Sequence, residues 1–174
     1  AYDQELREAY IPNAEVQEAF EYAISDTGWN EVVNSLNASD QLLKSTWMMD
    51  SEAVAAALER VHTDASSILT YNDENSLSCA LTLAYYNARL HYKIIREMPM
   101  GRGYADFVFI PKPNRDVPAI IVELKCNQSP EDAIEQIKTR KYMQGLEEYR
   151  GNMLLVGINY DKTSKKHSCK IEEY

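Results

Sequence analysis

The chain has 174 residues, of which 45% are hydrophobic and 26% are charged, and its formal net charge at pH 7 is -9. This length and composition are typical of a soluble globular protein with one or two domains and a sizeable core. No stretch approaches the ~18 consecutive apolar residues of a membrane span, and the N-terminus lacks the basic and apolar regions of a secretory signal. We therefore expect neither a transmembrane segment nor secretion.

The cysteine pattern points to a reducing compartment. Cys79, Cys126 and Cys169 are odd in number and show no CxxC spacing. Neither a disulfide framework nor a zinc site is therefore predicted. The cytoplasm is the expected location, because thiols stay reduced there.

The first 70 residues show helical periodicity throughout. One helix is predicted over residues 14–24, and Ser39 and Asp50 are predicted N-caps of two more. The alanine-rich run 52–61 carries no catalytic constellation, so its predicted role is packing. We expect residues 1–70 to form a small helical unit that connects to a second domain.

A further helix is predicted over residues 72–86, where apolar residues recur at helical spacing. The residues of this stripe are Leu77, Ala80, Leu81 and Ala84. Glu74 lies in the first turn of the helix, where its carboxylate would interact favourably with the helix dipole or serve a functional site. The sequence leaves both roles open.

Two apolar runs rich in β-branched and aromatic residues, 106–110 and 119–124, flank the turn-rich stretch 111–118, which has a proline at each end. This pattern predicts an antiparallel hairpin. If the two prolines bracket the loop symmetrically, Asp106 and Glu123 lie directly opposite each other on neighbouring strands.

Two carboxylates in that position need a compensating charge. Their Cβ atoms would be roughly 5 Å apart, where like charges repel. Burial of Asp106 in an apolar strand is also costly unless the carboxylate is paired or bound to metal. Because Mg²⁺ commonly takes one or two carboxylate ligands, we predict that Asp106 and Glu123 bind a divalent cation.

Lys125 lies two residues after Glu123, and therefore on the same face of its strand. Its ammonium would orient or polarise a water held by the metal, or stabilise charge on a phosphate. An acid and a lysine at this spacing near a strand end are also often only a solvated salt bridge. The Glu-Leu-Lys triplet by itself does not distinguish these interpretations.

The next element is a helix predicted over residues 129–142, with Ser129 as N-cap, a proline at the first helical position and acids in the first turn. Its predicted buried stripe consists of Ala133, Ile134 and Ile137. Gln136 and Arg140 are four residues apart and share a different face. A C-terminal hairpin is predicted over residues 153–172, around a polar turn.

These elements resemble the PD-(D/E)XK nuclease superfamily and, within it, the bacterial domain found at the C-terminus of AAA-ATPase-like proteins. The resemblance covers residues 71–174. In the family's order, the matching features are the helix with Glu74, the strand 92–97, Asp106, Glu123 with Lys125, Gln136 with Tyr142, and the strand 152–160. It implies an α/β (α+β) fold with a central mixed β-sheet flanked by helices, the restriction-endonuclease-like core, preceded by the small helical unit.

The resemblance also implies a catalytic site. Asp106 and Glu123 would bind Mg²⁺ or Mn²⁺, and Lys125 would orient water or stabilise charge. Glu74 would be an accessory acid, and Gln136 would position the substrate or the site.

The sequence departs from the family pattern at two positions. Ala105 stands where the superfamily's name has proline, a common variation that leaves the metal ligands in place. Tyr142 follows Gln136 by six residues rather than four, so core packing is the expected role of Tyr142.

The implied activity is hydrolysis of phosphodiester bonds in DNA or RNA. The alternative is a non-catalytic module that keeps the nuclease fold for docking or nucleic-acid binding, attached to an ATPase. A third interpretation is a structural salt bridge without any ligand. Because the chain starts without Met, we expect that it is a fragment preceded by an AAA-ATPase-like domain; the chain itself has no GxxxxGK[ST] loop.

The negative charge is concentrated in the first half of the chain. Residues 1–90 contain 15 acidic and 4 basic residues, whereas residues 91–174 contain 12 acidic and 14 basic ones. The predicted nucleic-acid-binding residues on the helix are Lys138, Arg140 and Lys141. A second basic group, Lys162, Lys165 and Lys166, lies in the C-terminal turn, where a solvated loop is the alternative.

Overall fold

The computed structural model describes residues 2–3, 8–9, 27–65 and 74–174, with side chains described for 33–61 and 77–174. The helix predicted over residues 14–24 lies outside the described residues. Strands β1 (Tyr2–Asp3) and β2 (Glu8–Ala9) pair in an antiparallel manner. The sequence analysis expected the region before residue 70 to be helical throughout. This expectation is wrong, because β1 and β2 are strands.

Within the described residues, three α-helices precede the main sheet: α1 (Thr27–Trp47), α2 (Ser51–Ala65) and α3 (Glu74–Ala84). Asp50 caps α2 as predicted, because its Oδ1 accepts a hydrogen bond from the backbone N of Ala53 at 2.9 Å. The capping role predicted for Ser39 is wrong. Ser39 lies inside α1 and is buried, and its Oγ accepts a hydrogen bond from the backbone N of Asn87 at 2.9 Å.

The chain forms two compact units, Ala1–Asn37 and Ala38–Tyr174. The second unit contains α2, α3 and the main sheet. The domain boundary predicted between residues 70 and 71 stays a prediction. No helix in the described ranges is long and apolar enough to cross a membrane.

The main sheet has five strands in the order β3-β4-β5-β6-β7. Their bounds are Tyr92–Met100, Gly103–Pro111, Ala119–Cys126, Met153–Asp161 and Lys166–Glu173. Neighbouring strands are antiparallel except β5 and β6, which are parallel. A parallel pair needs a crossover, and here it contains α4 (Pro130–Thr139) and a 3₁₀ segment (Tyr142–Tyr149). The expected fold, a mixed sheet with flanking helices, is confirmed.

Helices cover both faces of this sheet. On one face, the predicted stripe of α3 is buried, with Leu77, Leu81 and Ala84 in a cluster that includes Phe107, Phe109 and Val122. On the other face, the predicted stripe of α4 is buried, with Ile134 and Ile137 in a second cluster. The alternation of side chains along the central strands therefore supplies two apolar layers, as expected for strands buried on both faces.

The position of α4 is fixed at both ends. A capping box joins Ser129 to Asp132 at its start, as the sequence indicates. The helix ends at Thr139, three residues before the predicted end, and Lys141 has a left-handed backbone with φ of 58°. Gly157 on β6 allows close approach of the helix, because a Cβ there would clash with the carbonyl oxygen of Pro130.

Candidate functional site

The predicted alignment of the hairpin is confirmed. Phe107 pairs with Val122, and the same register continues to the end of the ladder. One step beyond this pair, the register brings Asp106 opposite Glu123. There the backbone ladder stops, and Oδ2 of Asp106 accepts a hydrogen bond from the backbone N of Leu124 at 2.7 Å.

Strand β4 starts earlier than predicted. It begins at Gly103, so Asp106 lies inside the strand rather than at its first position. The register of β3 against β4 places Asp106 across from Glu97, which has a positive φ of 49°. The carboxylate of Asp106 therefore lies on an inner strand of the sheet, between β3 and β5.

Glu123 is the most buried charged group of the site, with 3% of its side chain exposed. Its Oε1 accepts hydrogen bonds from Nζ of Lys125, at 3.1 Å, and from Nε2 of Gln136. Its Oε2 is buried and has no hydrogen-bond partner among the described residues. Such an atom is costly unless a ligand or ion compensates it.

The environment of Glu123 favours its protonated form. Desolvation by burial and the negative charge of Asp106 raise the pKa of this carboxyl to about 7, while Lys125 and the backbone of Asp106 act in the opposite direction. A carboxyl with a raised pKa beside a second carboxylate is typical of functional sites, although structural pairs also show it.

Lys125 lies on the same face of β5 as Glu123, as the sequence predicts. Only 12% of its side chain is exposed, and its Nζ also donates to Oε1 of Gln136 at 2.8 Å. The pair is thus largely buried, and a solvated surface salt bridge does not describe it. Its ammonium is held in one place by two oxygen acceptors.

Gln136 brings α4 into the site. Its amide accepts from Lys125 and donates to Glu123, so the amide orientation is set by both charged groups. Tyr142 extends this network. Its hydroxyl donates to the carbonyl oxygen of Tyr104 at 2.7 Å and lies 3.4 Å from Nε2 of Gln136.

The sequence analysis expected only packing from Tyr142. Its ring is indeed buried, at 1% exposure, but its hydroxyl also joins the polar network. The six-residue spacing was misleading because α4 ends at Thr139 and Tyr142 belongs to the following 3₁₀ segment. No signal in the sequence indicates this turn.

The other predicted site residues are Glu74, Lys138, Arg140 and Lys141. Glu74 is the first residue of α3, but its side chain is not among those described. Nζ of Lys138 forms an ion pair with Glu172 on β7. Arg140 donates through Nη1 to the carbonyl oxygen of Arg102 at 2.9 Å, and Lys141 is exposed.

Asp106 and Glu123 supply two carboxylates as potential ligands of a divalent cation. Across residues 33–61 and 77–174, no group of three or more His, Cys, Asp or Glu side chains could hold a metal ion. Two carboxylates are nevertheless within the usual number for Mg²⁺, which keeps several waters. The buried Oε2 of Glu123, which has no hydrogen-bond partner among the described residues, fits such an ion. An ionised carboxylate oxygen is a ligand that Mg²⁺ prefers.

A family model of the PD-(D/E)XK nuclease superfamily matches residues 72–170, which is more than half of the chain. The matched span contains Asp106, Glu123, Lys125 and Gln136. No individually curated protein matches the chain.

Proposed function

Because the chain belongs to the PD-(D/E)XK nuclease superfamily, we propose that it hydrolyses phosphodiester bonds in DNA or RNA. Members of this superfamily are usually nucleases and typically use divalent metals. We propose Mg²⁺ or Mn²⁺ as the metal, with Asp106 and Glu123 as its protein ligands. The observation that supports this most is the buried Oε2 of Glu123, which has no hydrogen-bond partner in the described part of the chain.

The chain's own residues have distinct roles in this proposal. Two of the three N–H donors of Lys125 are used by Glu123 and Gln136, which leaves one for a phosphate oxygen or an attacking water. Its fixed positive charge would stabilise negative charge that develops on the phosphate. When bound, the divalent cation would lower the pKa of a water and offset phosphate charge.

Gln136 is a positioning residue in this scheme. Its amide holds the Lys125 ammonium and Glu123 in a defined arrangement, and Tyr142 supports the amide from the other side. Glu74 is proposed as an accessory acid, since it starts α3 within the matched span.

The test is cleavage of circular and linear DNA and RNA with Mg²⁺, Mn²⁺ or EDTA. Lys125→Met and Asp106→Asn should each lower the cleavage rate by about 100-fold or more, because they remove transition-state stabilisation or a metal ligand. Lys93→Met is the matched control, since Lys93 is an exposed residue of β3 outside the site. Thermal melting of each variant reports whether the fold survives.

Full activity of the Lys125→Met protein would contradict the mechanism. A well-folded wild type that cuts none of these substrates would instead favour the alternative, a non-catalytic nuclease-fold module that docks to an ATPase or binds nucleic acid. The alternative is favoured by one observation: no three-residue group of potential metal ligands occurs among the described side chains. An AAA-ATPase-like partner domain is part of both proposals.

A further inference from the structure

The fold brings together three basic residues from two distant parts of the chain. Arg102 lies in the turn between β3 and β4, whereas Arg140 and Lys141 directly follow α4. The backbone N of Arg102 donates to the carbonyl oxygen of Arg140 at 2.8 Å, and Nη1 of Arg140 donates to the carbonyl oxygen of Arg102 at 2.9 Å. Arg102, Arg140 and Lys141 are called the basic cluster below.

Close packing of the backbone holds the basic cluster together. Gly101 has a φ of +53°, in the left-handed region that favours glycine. A Cβ at this position would clash with the carbonyl oxygens of Arg140 and Lys141. The turn between β3 and β4 therefore lies directly against the end of α4, and backbone contacts set the position of Arg102 relative to Arg140.

The basic cluster adjoins the polar network of the proposed catalytic site. Arg140 follows Gln136 by four residues, so it lies on the same side of α4 and about 6 Å further along the helix axis. The hydroxyl of Tyr142 lies 3.4 Å from Nε2 of Gln136. Burial raises the pKa of this hydroxyl most; Glu123 and Asp106 raise it further, whereas Arg140 lowers it. The hydroxyl is therefore within range of both the basic cluster and the two proposed metal ligands.

Neighbouring side chains do not neutralise the charge of the basic cluster. All three residues are exposed, and none of them forms an ion pair within the described ranges, in contrast to Lys138 with Glu172. Positive charge at a helix C-terminus is favourable, which accounts for Arg140 and Lys141 but not for Arg102 in its hairpin turn. Exposed guanidinium groups of this kind bind phosphate through paired N–H donors.

The position of the basic cluster suits a nucleic-acid strand that passes through the site. Arg102 precedes Asp106 by four residues, which corresponds to at most about 13 Å along β4. Arg140 lies about 6 Å beyond Gln136 on α4. Successive phosphates of one strand of a duplex are about 3.4 Å apart along its axis. These spacings correspond to about two to four nucleotides from the site.

We propose that Arg102, Arg140 and Lys141 together bind backbone phosphates of the substrate strand, about two to four nucleotides from the bond that is cleaved. The choice of a nucleic-acid strand as ligand rests on the proposed function. Arg102 is the new contact, because it lies 38 residues from Arg140 in the chain and joins the cluster only in the fold. Since the contact is remote from the reacting atoms, it contributes to substrate binding rather than to the chemical step.

Binding is measured with the full 174-residue chain carrying Lys125→Met, so that no cleavage occurs. The probes are short fluorescein-labelled strands of single-stranded DNA, single-stranded RNA and duplex DNA, and fluorescence anisotropy is recorded across a salt series. Arg102→Gln should weaken binding at low salt about tenfold, as expected for loss of one hydrogen bond to a charged group. It should also reduce the slope of log affinity against log salt by about 0.7–0.9.

Arg115→Gln is the matched control. It removes the same charge from another exposed hairpin turn, the one between β4 and β5, and it should leave the affinity and the salt slope unchanged. Thermal melting of both variants reports whether the fold survives. The proposal is overturned if Arg102→Gln binds like this control, or if the parent chain binds none of the probes.

Cleavage by the protein with native Lys125 provides a second measurement. Arg102→Gln should raise KM about tenfold and change kcat little, because the phosphate contact is equally strong before and during the reaction. A lower kcat with unchanged KM would contradict a binding role. Cleavage together with binding that does not depend on Arg102 would identify a nuclease without this contact. Binding that depends on Arg102 without any cleavage would leave the contact in place and overturn only the nuclease activity.

Discussion

Glu123 is the residue at which burial and charge conflict most strongly in the described part of the site. Its Oε1 accepts from Lys125 and Gln136, while its buried Oε2 is left without a hydrogen bond. Burial and Asp106 together raise the pKa of its carboxyl to about 7. A proton relieves this conflict at low pH, and a bound cation would relieve it at higher pH, because an ionised carboxylate is the form that binds metal.

This competition predicts a pH-dependent effect of Mg²⁺ on stability. Between the unfolded pKa of 4.5 and the folded value of about 7, the unfolded carboxyl is ionised while the folded one retains its proton. Without metal, the contribution of Glu123 to the free energy of unfolding should therefore fall by about 1.4 kcal/mol per pH unit in this window. Added Mg²⁺ should raise the melting temperature more at pH 8 than at pH 6.

Thermal melting with Mg²⁺ or EDTA at both pH values measures this effect. Glu123→Gln is the matched control, because it keeps the shape of the side chain but cannot ionise. An equal rise in melting temperature at the two pH values in wild type would count against metal binding by Glu123.

At the scale of elements, the site depends on how closely α4 approaches the sheet. Gln136 reaches Lys125 and Glu123 only because the helix packs tightly over β5 and β6. Gly157 permits this contact, since a Cβ at that position would clash with the backbone of Pro130 at the start of α4. The position of α4 therefore determines whether the Gln136 amide can reach both Lys125 and Glu123.

Gly157→Ala should displace α4 and lower both stability and activity. Overpacking of a core contact typically costs 1–3 kcal/mol, so we expect a loss of about 2 kcal/mol in the free energy of unfolding. Gly151→Ala is the control. A methyl group added there has no neighbouring atom within 4 Å, so it does not displace a helix. Its φ of +83° is strained for alanine, so this variant also loses some stability. Urea unfolding measures both losses, and only Gly157→Ala should also reduce the cleavage rate at conditions where each variant is folded.

At the scale of the whole molecule, the proposed function requires a protein with a formal net charge of -9 to bind DNA or RNA, which are also negatively charged. The charges are unevenly distributed, with net -11 in residues 1–90 (4 basic minus 15 acidic) and net +2 in residues 91–174 (14 basic minus 12 acidic). Not every predicted phosphate contact is equally available. Lys138 is paired with Glu172, whose pKa it lowers, whereas Lys141 is exposed.

We therefore predict different effects of two lysine substitutions on nucleic-acid binding. Lys141→Gln should reduce the slope of log affinity against log salt by about 0.7–0.9, as expected for one lost phosphate contact. Lys138→Gln should reduce it less, because that ammonium already has a carboxylate partner. Fluorescence anisotropy across a salt series, in the Lys125→Met background, compares the two. A larger effect of Lys138→Gln would contradict this assignment.

Much of the hairpin and of the site could be predicted from the sequence. The prolines at residues 111 and 118 delimit the loop, and this symmetry fixes the register that brings Asp106 opposite Glu123. Strand alternation then places Lys125 beside Glu123. The start of α4 also follows from local chemistry, because Ser129 and Pro130 define a helix N-terminus whatever the rest of the chain does.

Other features depend on contacts between residues distant in the chain. Ser39 resembles a cap, but it bonds to Asn87 from inside α1; Tyr142 resembles a core residue, but it bonds to the carbonyl of Tyr104. The sequence by itself determined the local elements, the register and the candidate metal ligands, because periodicity and turn chemistry act over short range. Only the tertiary structure decided the partners of Gln136 and Tyr142 and the burial of Glu123, because these depend on how distant elements pack.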